Sequence, residues 1–421
     1  MNSIMDRTIS LRKIGFYEIE KVFLLLFVAS VFVFAGSPDT VRISNIAFLI
    51  FAFVVLLCVG INNWVVAYDD INFGVYLPFA AYSVLSVLIA INRSLAFQKL
   101  ETVLLLVAMA VLINLCIKPE IKNINFLLVC IMIGGLGVAL MVLTEYGVSG
   151  IIDGILHGNR IGKDILQLNY LGRSTYYTSA IAFYLAYYKR HKWLYLVFAL
   201  TTLVTLASGS RQSQLALLIV LVLLFTMKGI SVNWTNAVIK ILLLLVCLII
   251  VWNLPWLDAV RERMYSGLIV MYTRENATDG DSDRFQMIVF GLETFVKNPV
   301  WGIGLGNIRE VVGGTVLSDR GYLHNNYAEL LACGGLLGFC SYYYIYLKLF
   351  VKTRRIVKVS GWSDELIICF ALLIAQLELE FFGVYYYSKV QYLLFALAFL
   401  VVRCISQKTV VQEVKEGECL K

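Results

Sequence analysis

Residues 124–144 read INFLLVCIMIGGLGVALMVLT, a run without a charged side chain in which only Asn125 and Thr144 carry polar ones. A helical residue advances about 1.5 Å, so roughly 20 such residues cross the hydrocarbon core of a bilayer, about 30 Å thick. Comparable apolar runs lie at 21–36, 43–61, 73–91, 100–117, 174–188, 193–207, 213–228, 237–255, 327–350, 364–386 and 389–405. The chain therefore predicts as an all-α polytopic membrane protein of about twelve transmembrane helices, with residues 1–421 forming a single membrane domain. Composition agrees. Of 421 residues 60% are hydrophobic and 15% charged, whereas soluble domains are about 45–50% apolar. Disordered, collagenous and disulfide-stapled secreted classes are excluded by the same figures.

The net charge of +7 comes from short basic clusters between apolar runs. It reads as membrane topology and not as nucleic-acid affinity. Arg12-Lys13, Lys189-Arg190-His191-Lys192 and Lys352-Thr353-Arg354-Arg355 are separated by even numbers of spans, which places all three clusters and both termini on the cytoplasmic side. The residues before the first run read as a retained cytoplasmic tail, not a cleaved signal. Eight of nine cysteines sit in or beside apolar runs and none forms a CxxC, so they read as small buried residues. On this topology two external segments are long enough to hold a site: 145–173, and above all 256–326, a large external loop. The latter carries seven basic and nine acidic residues. No fixed-period repeat is visible.

Within that loop, Phe285, Ile288, Val289, Leu292, Phe295 and Val296 recur at helical spacing after Asp281-Ser282-Asp283, predicting an amphipathic helix that stops at Asn298-Pro299. Arg284 opens its apolar stripe, either to reach an anion or to snorkel at the interface. The glycine-alternating turn Gly302-Ile303-Gly304-Leu305-Gly306-Asn307 lacks the Lys-Ser/Thr of a P-loop. It offers a close backbone approach to a ligand beside the site. His324, one of only three histidines, stands at the mouth of the tenth span, either as a capping residue or as a base for a sugar hydroxyl. Glu329 is the other possible base, or the group that orients His324. Between spans seven and eight, Ser208-Gly209-Ser210-Arg211-Gln212 is a polar turn, read as an anion site facing outward or as a plain hairpin. Arg173 adds a third external arginine. No HExxH, GxSxG, Walker A or compact carboxylate cluster is present, so no metal or cofactor is expected.

As a set these motifs resemble the O-antigen ligase and O-antigen polymerase superfamily of bacterial membrane glycosyltransferases. The resemblance is carried by Ser208-Gly209-Ser210-Arg211, by Asp283-Arg284 heading a helix that ends Asn298-Pro299-Val300-Trp301-Gly302, and by His324-Asn325-Asn326-Tyr327 with Gly334-Gly335-Leu336-Leu337-Gly338. It implies an inner-membrane enzyme of the GT-C type whose donor is an oligosaccharide on undecaprenyl diphosphate, and it allows a chain-length regulator as a partner. It also implies that Arg211 and Arg284 engage the diphosphate and that His324 activates or orients the acceptor. Arg173, Ser210, Gln212, Asn307, Tyr322, Asn325, Asn326 and Glu329 are the expected substrate-binding residues. Polymerisation of lipid-linked repeats into a surface polysaccharide such as O-antigen or capsule is preferred over ligation of the finished glycan to lipid A-core. From a different class comes a repeat-unit flippase or secondary transporter, supported by Gln376, Glu378 and Glu380 in the eleventh span. These three are expected to line the same glycan cavity instead.

Overall fold

The computed structural model describes residues 17–36, 40–62, 72–227, 258, 261–262, 279–312 and 321–419. These form α1 (Tyr17–Phe34), α2 (Val41–Asn62), α3 (Phe73–Ile89), α4 (Arg93–Cys116), α5 (Ile121–Leu156), α6 (Leu168–Tyr187), α7 (Leu194–Ala207), α8 (Arg211–Met227), α9 (Asp279–Lys297), α10 (Ile308–Val312), α11 (Asn326–Ser360), α12 (Asp364–Phe382) and α13 (Lys389–Cys419). Every described residue in regular structure is helical, and the protein is a polytopic membrane protein. Among the described residues five helices are long and apolar enough to cross a bilayer: α2, α4, α5, α11 and α13. The shorter apolar helices are α3, α7 and α8. The run at 237–255, the ninth expected span, lies outside the described residues.

The apolar periodicity explains which side of each helix faces lipid. On α2, Ile46, Leu49, Ile50, Phe53 and Leu57 are exposed, while Phe48, Phe51, Val55 and Cys58 are buried. Large exposed apolar side chains along one stripe are what a lipid solvent accepts and water does not. In contrast, α13 runs through the middle, and every residue from 390 to 402 is buried. It packs against α4, α11 and α12. A second group, α5, α6 and α7, packs side by side, and α8 joins α6 to α12.

Two helices break on glycine. In α5 the break is Gly147 (φ 65°, ψ 176°), so the helix runs on to Leu156 and the stretch expected to begin the first external segment is largely helical. In α11 it is Gly335 (φ 57°, ψ −165°). A broken helix within apolar surroundings must pair its freed amides and carbonyls elsewhere. Here the partner is the glycine turn after α9. Gly304 N–H donates to Cys333 O (2.9 Å) and Ile303 N–H to Ala332 O (3.1 Å); in return Leu336 N–H donates to Pro299 O (2.8 Å) and Leu337 N–H to Val300 O (3.2 Å).

This contact decides the role of that turn. A Cβ on Gly302 would stand 2.4 Å from Cys333 C and O, and one on Gly335 would stand 2.4 Å from Val300 O. The glycines thus allow one backbone to press on another, and the expected approach to a ligand is a packing contact instead. α9 starts two residues before Asp281 and stops at Lys297, ahead of Asn298-Pro299 as the sequence predicts. It lies on α11, with Met287 buried and Leu323 and Ala328 against Gly291.

Gly335→Ala is expected to cost at least about 2 kcal/mol, from a left-handed φ and a backbone overlap together. In thermal unfolding of the detergent-purified protein it should lower Tm by several degrees. Gly321→Ala, with nothing within 4 Å of the new Cβ, should leave Tm unchanged.

Candidate active site

A cavity of about 810 Å³ opens between the ends of α1 and α2, the flank of α4, the first turns of α6 and α8, the segment before α11 and the loop 383–388. Its polar and aromatic walls include Arg173, Gln212, Tyr322 and His324, four of the residues singled out in the sequence. They come together because three chain segments are tied down around them.

The first tie is at the head of α8. Gly172 lets α6 approach the 208–213 turn closely: a Cβ there would meet Ser208 Oγ and Ser210 Cβ, each at 2.7 Å. Within the turn, Ser210 N–H donates to Ser208 Oγ (3.2 Å), and the Ser210 and Ser213 hydroxyls share a bond (3.0 Å). Ser210 is thereby buried in packing, Gln212 lines the cavity, and Arg211 is the first residue of α8. From the side, Arg160 Nε donates to Ser208 O (3.1 Å) and its Nη2 to Asn169 Oδ1 (3.3 Å).

The second tie is the mouth of α11. Asn325 is the N-cap, its Oδ1 accepting from Ala328 N–H (2.8 Å), and its Nδ2 donates to Phe381 O (2.9 Å). Glu329, 2% exposed, accepts from Leu323 N–H (2.9 Å). Its carboxylate therefore fixes the backbone just before His324 and is not among the cavity walls. His324 itself has φ 54°, a conformation uncommon for a residue with a side chain, though less so for histidine, and one that recurs at functional sites. Its ring lies against Tyr322, centroids 4.1 Å apart. Burial pushes the Tyr322 hydroxyl pKa up, while the charges of Arg284 and Arg173 pull it down. Both guanidinium groups are thus within electrostatic reach of the same ring, although Arg284, like Arg211, is not among the wall residues.

The third tie is Asn326. Its Oδ1 accepts from Tyr385 N–H (2.9 Å) and Tyr386 N–H (3.0 Å), and its Nδ2 donates to Glu380 Oε2 (3.0 Å) and Tyr343 Oη (3.1 Å). This holds the loop 383–388, which puts Tyr385 and Tyr387 on the cavity. Arg173 lies between two rings, 4.8 Å from the centre of Tyr385 and 4.7 Å from that of Tyr170. Lys99 stands 3.5 Å over the Tyr387 ring.

Glu380 does not line the cavity as expected. It is enclosed by hydroxyls donated by Tyr342 (2.9 Å), Tyr343 (2.6 Å) and Tyr346 (2.7 Å) together with the Asn326 amide. A carboxylate so fully bonded is a structural hub. Gln376 accepts from the Tyr177 hydroxyl, and Glu378, unpartnered among the described residues, is also away from the cavity walls. Asn307 likewise points into packing: its Oδ1 accepts from Asn92 N–H (2.6 Å) and joins the turn to the head of α4. Sequence reasoning missed Tyr170, Tyr385, Tyr387 and Lys389. No motif marks them, and the nearest signal was the polar break between the last two apolar runs.

With that geometry in place, residues 194–343 match the family model described as O-antigen ligase. The matched segment runs from α7 into α11, takes in the 208–213 turn, α9 and the mouth of α11, and supports the resemblance to the O-antigen ligase and polymerase superfamily. No curated protein matches the chain.

Asn326→Ala would leave the Tyr385 and Tyr386 amides unpaired and take one donor from Glu380. At about 1–3 kcal/mol for each unsatisfied group, it should lower Tm more than Asn325→Ala does, and a melting series of the two variants checks this.

Proposed function

We propose that the chain is a membrane glycosyltransferase that polymerises oligosaccharide repeats carried on undecaprenyl diphosphate into a surface polysaccharide. The single observation that supports this reading best is the common cavity of Arg173, Gln212, Tyr322 and His324. The cavity works on the periplasmic face of a bacterial inner membrane, with about twelve spans, both termini cytoplasmic and 256–326 external.

Lipid diphosphate is already a competent leaving group. What the protein supplies is compensation for its charge and a path for one proton. The acceptor hydroxyl oxygen bonds to the anomeric carbon of the donor while the bond from that carbon to the phosphate oxygen breaks. The electron pair leaves with the diphosphate, met by the guanidinium groups of Arg211, Arg284 and Arg173. The acceptor proton passes to the His324 imidazole. Tyr322 and Gln212 hold sugar, and Val31, Leu105 and Leu106 on the cavity wall offer apolar surface to the prenyl chain. The reading calls on no metal or other cofactor, and a chain-length regulator fits as partner. Ligation of the finished glycan to lipid A-core is a second reading, favoured by the description of the matching family model.

Deleting the gene and separating the surface glycan on a gel tests the assignment. Single-repeat product is expected for a polymerase, and long lipid-linked chains missing from their acceptor for a ligase; wild-type glycan would overturn both. Arg211→Lys and Arg284→Lys, which keep charge but lose the fork, should each cost about 10-fold in activity. His324→Ala should cost roughly 10²-fold. Undiminished turnover in all three would leave the mechanism without its residues.

A cysteine placed at Thr278 should react with an impermeant maleimide in intact spheroplasts. Labelling only after lysis would invert the topology.

A further inference from the structure

The cavity walls carry two basic side chains from separate elements, Arg173 on α6 and Lys389 at the head of α13, and among the described residues no Asp or Glu lines them. Lys389 Nζ donates to Ser44 Oγ and Asn45 Oδ1 on α2, both neutral. An ammonium has three donors, so one N–H remains for a ligand. Neutral oxygens alone give an ammonium in a protein wall no counter-charge, so holding it charged there is costly unless an anion meets it. The backbone adds to this, because Lys389 opens a 31-residue helix whose N-terminal end is electropositive. Val41, Leu105, Leu106 and Val390 are also on the walls. A cation beside apolar surface suits a phosphate attached to a lipid better than a free one.

We propose that Lys389, with Asn45, is a second anion-binding pole of the cavity and takes a phosphate borne by a lipid, while Arg173 serves the donor diphosphate. The inference rests on the glycosyltransferase reading in taking lipid phosphates as substrates, and it adds that the acceptor is also held by its phosphate. Two lipid anions then occupy one cavity with the sugars of both near His324. The shared chemistry has two sources, a polyprenyl diphosphate or the phosphate of lipid A.

Calorimetric titration of the purified full chain in detergent, with farnesyl diphosphate and separately with lipid A, tests it. Two binding events in total are expected across the two probes. Lys389→Gln should weaken one event by about tenfold or more, Lys389→Arg should largely restore it, and Arg173→Gln should weaken the other. A Lys389-dependent event with farnesyl diphosphate assigns the pole to a polyprenyl carrier; one seen with lipid A assigns it to that acceptor. Should Lys389→Gln fail to fold, Asn45→Asp, which neutralises the pole and leaves the lysine in place, should weaken the same event. Wild-type affinities in a monodisperse Lys389→Gln or Asn45→Asp protein would overturn the proposal, and a weakened Arg173→Gln would then leave the glycosyltransferase reading standing. If Arg173→Gln also bound both probes as wild type does, that reading would fall too.

Discussion

The rest of this structure depends on how the break in α11 at Gly335 is made good. In an apolar surrounding each unpaired amide or carbonyl costs several kcal/mol, so a helix can be interrupted only where another backbone takes up the freed groups. The turn 299–304 does so through four hydrogen bonds, and it fits because Gly302 and Gly335 leave no side chain between the two backbones. From this clasp the upper part of α11 is aimed. The same turn reaches the α3–α4 junction, where Leu305 N–H donates to Ser86 Oγ (2.7 Å) and Ile91 N–H to Ile303 O (3.2 Å). The amphipathic helix α9 is carried along, because it leads directly into the turn and lies on α11.

Asn326 distributes that rigidity. Every hydrogen-bonding capacity of its amide is used, one pair toward loop 383–388 and the other toward Glu380 and Tyr343. Donors around a buried carboxylate offset its desolvation, and for Glu380 three tyrosines supply them. The tyrosines come from α11 at positions 342, 343 and 346, on adjoining faces of one helix. Gln391 of α13 donates to Tyr346 Oη (2.8 Å) and extends the network to the central helix. Loop 383–388, and with it the ring of Tyr385 over Arg173, is held by a network whose loss would be felt across α11, α12 and α13.

The membrane-helix architecture was legible because apolar runs need only composition and length to be read. Eleven of the expected runs are helical in the described residues, although α5, α11 and α13 continue ten or more residues past the expected ends. Pro299 as the stop of α9 was legible for local reasons, whereas the cap of α11 is Asn325, expected among the substrate-binding residues, and not His324. The cavity was legible only in part, because its walls come from distant segments and no spacing connects Lys389 to Asn45 or Tyr385 to Arg173. The turn at 302–306 shows why a motif can mislead: closely spaced glycines signal a close approach, and the sequence does not say whether a ligand or another backbone is approaching. Glu329, considered as a base, binds the amide of Leu323, a partner that only the folded path of the chain supplies.

The cations around the cavity share one feature of electrostatic consequence. Arg173 lies over Tyr170 and Tyr385, Lys99 over Tyr387, and Lys389 beside two neutral oxygens. Ring faces and neutral acceptors orient a cation and offset part of its desolvation without cancelling its charge. A carboxylate in the same place would hold the side chain more firmly, and it would also have to be displaced or repelled when an anion arrived. A site that must receive negative charge, and receive more as a leaving group departs, is better served by cations held in this way. The aromatic walls are therefore part of the electrostatics, since they keep positive charge available inside a cavity that lipid and protein would otherwise make hostile to it.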